Sequence, residues 1–592
     1  MLELYLKRKL IEVGGESLVG KRYLLALDTD KIKQYVFATD KLKEIRGGSS
    51  ILDALNRSVM KQVAEVKEFH AKIVYANGGS GLCLIDGDEQ IAEKFGQRIQ
   101  QSYRERTGGG ASITFALQEI PETIPEQGIE TNPDLHPYLQ LLQYRLLHAK
   151  GYPHQEIEVL PSHPLMRLCD ACGTHYAEDI YRGEGSDPED QERRYCNVCL
   201  KKRGEDYKVK GGIEGIVANR TRKERVIQPE ETPFVWESII SKLPTKYKIP
   251  IGTNRPSDFN KFQGLSNGYI GLIYADANSM GEILDELPTI KEREAMAGVV
   301  DMAVYTAMSA AIAAHLPAVK GDEDTPWMFP FDVLMIGGDD MIIATPADVA
   351  LDVALTLAKT FHDETKKNDI RSAKPGCSIS VGVVLAPVKY PFGLLQELAE
   401  STLKFAKKSV AQKAAAKNPP KTNYRDTVIN FMTVTGSNSL DFNKVYNLLH
   451  NKYIRVGGQE AAFYATLRPY SVEELAELLD MIRKGKQRSL GRTKLHQVRE
   501  AVLRMNLTTS VSEGLAVLNN WRGNQRELVV EQVYKLAGRY QERHRDVEKP
   551  GTLFQRVTFP WFADGPDTYR TSLLDFVELY DFVAQEEVED AK

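Results

Sequence analysis

The sequence has little cysteine, no long apolar run and no excess of positive charge. It contains only six cysteines in 592 residues. The first residues, MLELYLKRKLIEVGG, lack the apolar stretch of a signal peptide. The longest weakly polar stretch, 302–319, contains His315 and Pro317 and is typical of a packed helix rather than a membrane span. We therefore expect a cytoplasmic protein that does not contact a membrane.

The charge balance also limits the classes of partner. A net charge of −5 argues against a chain coated in nucleic-acid-binding surface, so we expect no direct binding of double-stranded DNA. Two local basic clusters, 201–225 and 483–492, are open to two interpretations, a solvated loop or an RNA contact.

A hairpin with an acidic tip is the first sign of chemistry. Residues 333–342 read VLMIGGDDMI, in which Gly337 and Gly338 allow a tight turn between two buried strands. Asp339 and Asp340 are then fixed side by side, and divalent cations bound with a polyphosphate would keep both ionised. Gly and Asp are also ordinary turn residues, so a plain surface turn is the alternative.

A second acidic strand end favours the catalytic interpretation. Residues 269–280, YIGLIYADANSM, read as a buried strand ending at Asp276 and leading into a helix. Together with Asp339 and Asp340, Asp276 would form a three-carboxylate catalytic cluster for two Mg²⁺ (or Mn²⁺) ions, suited to phosphoryl or nucleotidyl transfer. The helix start offers backbone N–H groups to a triphosphate. The predicted nucleotide-binding residues beside the cluster are Ala277, Asn278, Ser279, Gly337 and Gly338.

The same order of elements occurs earlier in the chain. Residues 23–35 place Asp28 and Asp30 at a strand end, and 74–85, VYANGGSGLCLI, form a second glycine hairpin. This hairpin has Ser80 and Gly81 where the later one has its aspartates. In each copy a helix, a strand and a helix ending in Ala-Lys follow, the last at Lys150 and Lys407. We predict a duplicated ferredoxin-like α+β domain in which only the second copy kept its metal ligands.

Two cysteine pairs lie between the copies, Cys169 with Cys172 and Cys196 with Cys199. Each pair can hold one metal from a short knuckle, and two pairs complete a tetrahedral structural Zn²⁺ site. Two disulfides are the alternative, disfavoured because nothing suggests secretion. The remaining cysteines, Cys83 and Cys377, lie in apolar strands and are interpreted as buried thiols.

These observations predict an α+β protein with two ferredoxin-like palm (GGDEF/cyclase-like) domains, a zinc-binding insert between them and a helical C-terminal domain. From about residue 440 the apolar residues recur at helical spacing, without a comparable strand pattern. The predicted domains are a degenerate first palm (1–155), a four-cysteine domain and linker (156–265), a second palm (266–435) and a helical C-terminal domain (436–592).

The order of these domains resembles the large subunit of type III CRISPR effector complexes, the Cas10 family. The resemblance is carried by ATDKLKEIRGGSSILD at 38–53, YADANSMG at 274–281, GGDD at 337–340, SISVGVV at 378–384 and LKFAKK at 403–408. It implies a palm that converts ATP into cyclic oligoadenylate when the complex binds target RNA. It further implies other type III subunits and a guide RNA as partners, Asp276, Asp339 and Asp340 as metal ligands, and Lys407 as a phosphate contact.

The chain departs from the family pattern at two points. Many members begin with an HD nuclease domain, whereas the first palm strand starts here about twenty residues in, and the eleven histidines are scattered. We therefore expect no DNase activity. Asn278 stands where the family often has a second aspartate.

Two other function classes stay open at this point. The chain could be a catalytically idle scaffold for a ribonucleoprotein, or a free-standing GGDEF-like nucleotide cyclase or polymerase. An intact acidic triad disfavours the first, and the acidic charge balance disfavours a template-dependent polymerase.

Overall fold

The computed structural model describes residues 21–121, 124, 128–151, 165–182, 192–222, 235–321, 326–415, 426–435, 441–456, 459–504, 506–544, 557–565 and 567–585. The N-terminal segment interpreted above and residues 223–225 of the first basic cluster lie outside these ranges.

Strands and helices alternate through most of the described chain. The strands are β1 Arg22–Asp30, β2 Ala71–Asn77, β3 Ser80–Asp86, β4 Ser112–Ile120, β5 Thr253–Asn254, β6 Tyr269–Ala277, β7 Val319–Lys320, β8 Trp327–Met328, β9 Asp332–Gly337, β10 Asp340–Pro346, β11 Ile379–Pro387, β12 Val428–Thr433, β13 Asn451–Val456, β14 Gln459–Tyr464, β15 Tyr470–Ser471, β16 Val557–Thr558, β17 Trp561–Gly565 and β18 Thr568–Arg570. The α-helices are α1 Ile32–Val36, α2 Leu42–Ala54, α3 Met60–Ala64, α4 Glu89–Thr107, α5 His136–Gly151, α6 Asn197–Arg222, α7 Val235–Lys242, α8 Met280–Asp285, α9 Ile290–His315, α10 Ala350–Lys367, α11 Phe392–Ala415, α12 Phe442–His450, α13 Val472–Gln487, α14 Arg492–Leu503, α15 Leu507–Asn519, α16 Gly523–His544 and α17 Leu573–Leu579. A π-helical turn, Leu55–Val59, joins α2 to α3.

The first palm is a four-stranded antiparallel sheet in the order β2-β3-β1-β4. Successive side chains of a strand point to opposite faces, and β1 follows this rule. Leu25 and Leu27 pack with the core beneath α2, α3 and α4, whereas Leu24 and Ala26 pack with α5. Apolar residues at both positions of the alternation thus explain why helices cover both faces.

The second palm repeats this arrangement within a six-stranded sheet in the order β15-β12-β11-β6-β10-β9. β12 runs parallel to β11, and the other pairs are antiparallel. In both palms the first strand lies between the fourth strand and the hairpin, which is the strand order of a ferredoxin-like sheet. The predicted fold class is confirmed.

The two palms share an apolar core. Leu25 and Leu27 of β1 belong to the same buried cluster as Leu272 and Tyr274 of β6. The opposite face of β6 packs in a second cluster that contains residues of α9 and α10. Because β6 is buried on both faces, its sequence is an almost unbroken apolar run.

Helix α9 is the one helix among the described residues that is long and apolar enough to cross a membrane. In its most apolar window 61% of the residues are buried inside the protein, where they pack in the core cluster that includes α10. The helix ends at His315, so Pro317 lies beyond it, and the prediction of a packed helix is confirmed.

The C-terminal region is helical, as predicted, and contains α13, α14, α15 and α16. It also contains a five-stranded sheet in the order β13-β14-β18-β17-β16, which the sequence did not indicate. Two of these strands have only two and three residues, too few to show alternation. β14 and β18 pair in parallel although they lie far apart in sequence.

Candidate active site and zinc site

The three predicted acids meet at one end of the second sheet. Asp340 begins β10 and lies directly opposite Asp276 of β6 in the antiparallel register. Gly338 turns the hairpin with a φ of 63°, in the left-handed region that favours glycine. Asp339 lies in this turn between Gly338 and Asp340. The structure therefore brings together Asp276, Asp339 and Asp340, as the sequence led us to expect.

Burial and mutual repulsion dominate the electrostatics of these carboxyls. Burial, and then the charge of Asp276, raise the pKa of Asp339 to about 7. The same two causes raise the pKa of Asp340 well above its ordinary value. Oδ1 of Asp340 is buried without a hydrogen-bond partner among the described residues. The cluster is therefore short of positive charge, a shortage that divalent cations would relieve.

Lys407 is a cation that reaches this cluster from α11. Its Nζ forms an ion pair with Oδ2 of Asp276 and donates a 3.1 Å hydrogen bond to the carbonyl oxygen of Ala277. The ammonium group thus lies where charge is needed. The predicted end of the helix at Lys407 is wrong, because α11 continues to Ala415.

The three carboxylates have the chemistry of a site for hard cations. Within the part of the chain that the structure describes, only the four knuckle cysteines bring three or more ligand atoms within 4.8 Å of one another. Carboxylate oxygens are nevertheless the ligands that Mg²⁺ and Mn²⁺ prefer, and the buried Oδ1 of Asp340 has no hydrogen-bond partner among the described residues. The residues present therefore fit such cations by donor type.

Asn278 is held by hydrogen bonds within the fold. Its backbone N–H donates to the carbonyl oxygen of Ser378 at 2.9 Å. Its side-chain amide donates to Oγ of Ser378 at 3.0 Å and accepts from Oγ of Ser380 at 2.7 Å. The residue is 5% exposed, and its role in nucleotide binding stays a prediction.

The neighbours of Asn278 differ in their exposure and contacts. Ala277 is 2% exposed, and its carbonyl oxygen accepts from Lys407. Ser279 has a left-handed φ of 56° and makes no side-chain cap to α8, a helix of only six residues. Gly337 and Gly338, also predicted to bind the nucleotide, line a cavity.

The first palm repeats the framework of this site. Oδ2 of Asp28 pairs with Nζ of Lys150 at 2.6 Å, as Asp276 pairs with Lys407. Asp30 accepts 2.9 Å hydrogen bonds from the hydroxyls of Ser112 and Thr114. These are the positions at which Asn278 meets Ser378 and Ser380 in the second palm. The equivalence of the two copies therefore extends to their buried hydrogen bonds.

The register corrects the sequence alignment of the two hairpins. Asp28 lies opposite Ser80, as Asp276 lies opposite Asp340. Gly79 and Ser80 therefore take the places of the two aspartates, and the predicted correspondence with Ser80 and Gly81 is wrong by one residue. The tip of the first hairpin has no carboxylate.

The two hairpin tips touch each other. A Cβ added to Gly78 would lie 2.7 Å from Cα of Gly338, so the backbones are in direct contact. A cavity of about 400 Å³ lies beside this contact, and Asp340 is part of its wall. Both palms line it, with side chains that include Thr29, Lys33, Asn56, Arg57, Asn77 and Met335.

The first palm contributes polar residues to this cavity that were not predicted from the sequence. Nζ of Lys33 lies 4.8 Å from the ring centroid of Tyr274 and 3.5 Å from Oε1 of Glu400. Arg57 bridges the palms through a 2.8 Å ion pair with Asp301 of α9. The sequence feature that could have pointed to these residues is the motif at 38–53, which ends one helical turn before Arg57.

The four knuckle cysteines form a separate metal-binding arrangement. All four are free thiols, and their sulfur atoms lie within 4.8 Å of one another. The sulfur atoms of Cys172 and Cys196 are 3.9 Å apart, close to the roughly 3.8 Å edge of a tetrahedron with Zn–S bonds of about 2.3 Å. Four converging thiols fit structural zinc, and the disulfide alternative is wrong.

Several residues of the two basic clusters make contacts within the fold. Lys202 is 0% exposed and Arg203 is 2% exposed, so this part of the first cluster is not a solvated loop. In the second cluster Arg483 forms an ion pair with Asp352, and Lys486 donates to the carbonyl oxygen of Val583.

Comparison with known proteins relates the central part of the chain to a family. Residues 269–416 match the family model described as Cas10/Cmr2, second palm domain, which confirms the resemblance for the motifs of the second palm. The search of curated proteins gave no match.

Solved structures support the fold. A crystal structure of a Csm1-Csm4 cassette in complex with pppApApA matches with a TM-score of 0.50 and 14% identity, over 88% of this chain and 68% of that chain. A Csm1-Csm4 cassette in complex with cA4 matches with a TM-score of 0.48 and 14% identity, over 85% of this chain. This chain spans 65% of the length of that second protein. At such identity the likeness shows the fold alone.

Proposed function

We propose that this chain, whose residues 269–416 form a second palm domain of the Cas10/Cmr2 family, is a metal-dependent nucleotidyltransferase that makes cyclic oligoadenylate from ATP. It would act as the large subunit of an RNA-guided type III CRISPR antiviral complex. The observation that carries the proposal is the convergence of Asp276, Asp339 and Asp340, with Lys407 paired to Asp276 and with Asp340 in the wall of a cavity of about 400 Å³.

Asp276, Asp339 and Asp340 would hold the Mg²⁺ or Mn²⁺ ions. When bound, the ions would neutralise the triphosphate and favour ionisation of the attacking ribose hydroxyl. The chain's own contribution is positioning. The paired strands β6 and β10 fix two of the carboxylates opposite each other, and Gly337 and Gly338 line the cavity without adding a side chain to it.

Lys407 supports the proposal through its charge. Its ammonium group pairs with Asp276. With cations bound there, the same group would be free to contact a phosphate oxygen, which is the role that the family resemblance implies. Lys407 is therefore a proposed nucleotide-binding residue.

The first palm would supply the wall for a second, acceptor nucleotide. Its hairpin tip carries Gly79 and Ser80 and no carboxylate, so it would not repel a phosphate chain. Lys33 brings a positive charge to the same cavity. A growing chain needs donor and acceptor nucleotides side by side, and a cavity between two palms offers this arrangement.

The partners of the chain belong to the same proposal. The solved structures that it resembles contain Csm4 and are described in complex with adenylates. We propose that this chain likewise binds other subunits, a guide RNA and a target RNA, in the cytoplasm. The absence of HD DNase activity stays a prediction.

The experiment compares wild type with the double variant Asp339→Asn, Asp340→Asn. Each protein, purified with its co-purifying subunits and RNA, is incubated with mixed nucleoside triphosphates and Mg²⁺ or Mn²⁺, with and without target RNA. Products are identified by mass spectrometry. Asp363→Asn, an exposed carboxylate on α10 outside the cavity, is the matched control. We expect cyclic oligoadenylate from wild type and from the control, and none from the double variant.

The other outcomes separate the alternatives. Product from the double variant would overturn the site assignment. No product from wild type in the complete complex would favour a catalytically idle scaffold. Product without RNA or other subunits would favour a free-standing nucleotide cyclase.

A further inference from the structure

The hairpin that carries Asp339 and Asp340 is anchored at its far end by a buried charge. β9 begins at Asp332 and ends at Gly337, so a single six-residue strand connects this residue to the acidic tip. Asp332 is 0% exposed, and neither of its carboxylate oxygens accepts a hydrogen bond from the described residues. Its ion-pair partner in those residues is Arg46 of α2, whose Nη1 lies 3.4 Å from Oδ2.

Arg46 joins this strand to two other parts of the chain. The residue is 4% exposed, and its Nε lies 3.6 Å from Oδ1 of Asp206 on α6. Its Nη2 donates to the carbonyl oxygen of Pro256 at 2.9 Å. Nη2 of Arg255 lies 3.0 Å from the same oxygen of Asp206. Two arginines and two aspartates thus form a buried network in which each group restrains its neighbours.

Helix α6 ties the same network to the cysteine knuckles. The helix begins at Asn197, between Cys196 and Cys199, and reaches Asp206 less than three turns later. It packs tightly on α2, since a Cβ added to Gly47 would lie 1.7 Å from the carbonyl oxygen of Lys202. The motif at 38–53 therefore has a structural role: α6 packs against it, and it faces β9.

We propose that Arg46 and Asp332 are positioning residues for the acidic hairpin, and that this buried pair holds β9 so that Asp339 and Asp340 meet Asp276 in the geometry that binds cations. This inference rests on the proposed metal-binding role of the three carboxylates. A buried charge accepts few geometries because each displacement leaves it without its partner. Residues that hydrogen-bond directly to metal ligands commonly change metal affinity or activity by about 10- to 100-fold when altered, and we take the lower end of that range for a pair that acts through β9.

The test measures Mn²⁺ binding to the full chain by calorimetry, with Mn²⁺ alone as the probe. Asp332→Asn keeps the shape of the side chain and removes its charge. We expect this variant to bind Mn²⁺ roughly 10-fold or more weakly than wild type, and to lose product formation at saturating ATP by a similar factor. Arg46→Lys, which keeps the positive charge but loses the guanidinium fork, should show the same direction of change.

Glu44→Gln is the matched control. Glu44 forms a buried 2.9 Å ion pair with Arg203, which joins the same two helices, α2 and α6, without involving β9. The inference predicts that this variant changes melting temperature but keeps the Mn²⁺ affinity of wild type. Equal Mn²⁺ affinity in wild type and Asp332→Asn, or equal losses in Asp332→Asn and Glu44→Gln, would overturn the inference. If Asp332→Asn does not fold, the Mn²⁺ affinity of Arg46→Lys is compared with those of wild type and Glu44→Gln, and the same outcomes support or overturn the inference.

The design separates this inference from the proposed function. Wild type that binds Mn²⁺ without making product would refute the proposed reaction, while the Mn²⁺ affinities of the variants would still decide the positioning role. Wild type that binds no Mn²⁺ would overturn both.

Discussion

The contact between the two hairpin tips gives the sharpest prediction, for the variant Gly78→Ala. The added Cβ would lie 2.7 Å from Cα and 2.8 Å from the backbone N of Gly338, whereas ordinary contact begins at 3.4 Å. The tips must separate by 3.4 − 2.7 = 0.7 Å, because both sides of the contact are backbone. The left-handed φ of 60° at Gly78 adds a strain of about 1–2 kcal/mol for alanine.

This small separation should have a large effect on catalysis. Gly338 precedes Asp339, so the displaced backbone carries the carboxylates with it. A misplacement of about 1 Å can lower a rate by about 100-fold, and we expect product formation by Gly78→Ala to fall by roughly 10- to 100-fold. The free energy of unfolding should change by only about 1–2 kcal/mol, since the core is untouched.

The assay compares Gly78→Ala with Gly109→Ala. Gly109 has a φ of 85° and no heavy atom within 4 Å of its added Cβ, so alanine there is strained without a clash. Product formation and urea unfolding are measured for both variants. Equal activities in the two would refute the reasoning, because strain alone would then explain the effect.

Two further predictions concern metal and pH. Cys199→Ser should lower both the melting temperature and the zinc content, the latter measured by mass spectrometry. Cys83→Ala, which alters a buried thiol outside the knuckles, should keep the zinc content of wild type. Equal zinc contents in the two variants would contradict the proposed site. Burial raises the pKa of Asp332 to about 6, so the folded protein holds a proton there that the unfolded chain has released, and stability from this group falls as pH rises from about 4 to about 6. Asparagine does not ionise. In urea unfolding, the free energy of unfolding of Asp332→Asn relative to that of wild type should therefore increase across this range by up to about 1.4 kcal/mol per pH unit. A difference in unfolding free energy that stays constant with pH would contradict the raised pKa.

Much of the second palm was predictable because its signals are local. A buried strand that ends in an acid and a hairpin with two glycines each occupy about ten residues, and their side chains need no distant partner to be recognised. The convergence of Asp276 with Asp339 and Asp340 followed from placing two such strands side by side. The zinc knuckles were predictable for the same reason.

The missing details depend on register and on tertiary contacts. The alignment of Gly79 and Ser80 with the aspartates is visible only once Asp28 is known to lie opposite Ser80. The engagement of Asn278 depends on hydrogen bonds across about a hundred residues of sequence, to Ser378 and Ser380. Neither pattern has a periodic signature.

The basic cluster at 201–225 was open to misinterpretation for a different reason. A helix rich in lysine and arginine normally faces water, and Lys202 and Arg203 have no sequence feature that says otherwise. They are buried because the first palm supplies their partners. Arg203 forms an ion pair with Glu44, and Lys202 donates a hydrogen bond to the carbonyl oxygen of Tyr35. Charge compensation between distant segments cannot be deduced from composition. The short strands β16 and β18 of the C-terminal sheet escaped prediction because two or three residues are too few to show alternation.

Joining two copies of one fold in a single polypeptide frees their facing tips from symmetry. In a pair of identical subunits every acid at the contact would appear twice, and a nucleotide entering between them would meet two anionic walls. Here one wall ends in glycine and serine while the other keeps its aspartates. The fused arrangement can thus be electrostatically one-sided, with a direction across the cleft that a homodimer of either half would lack.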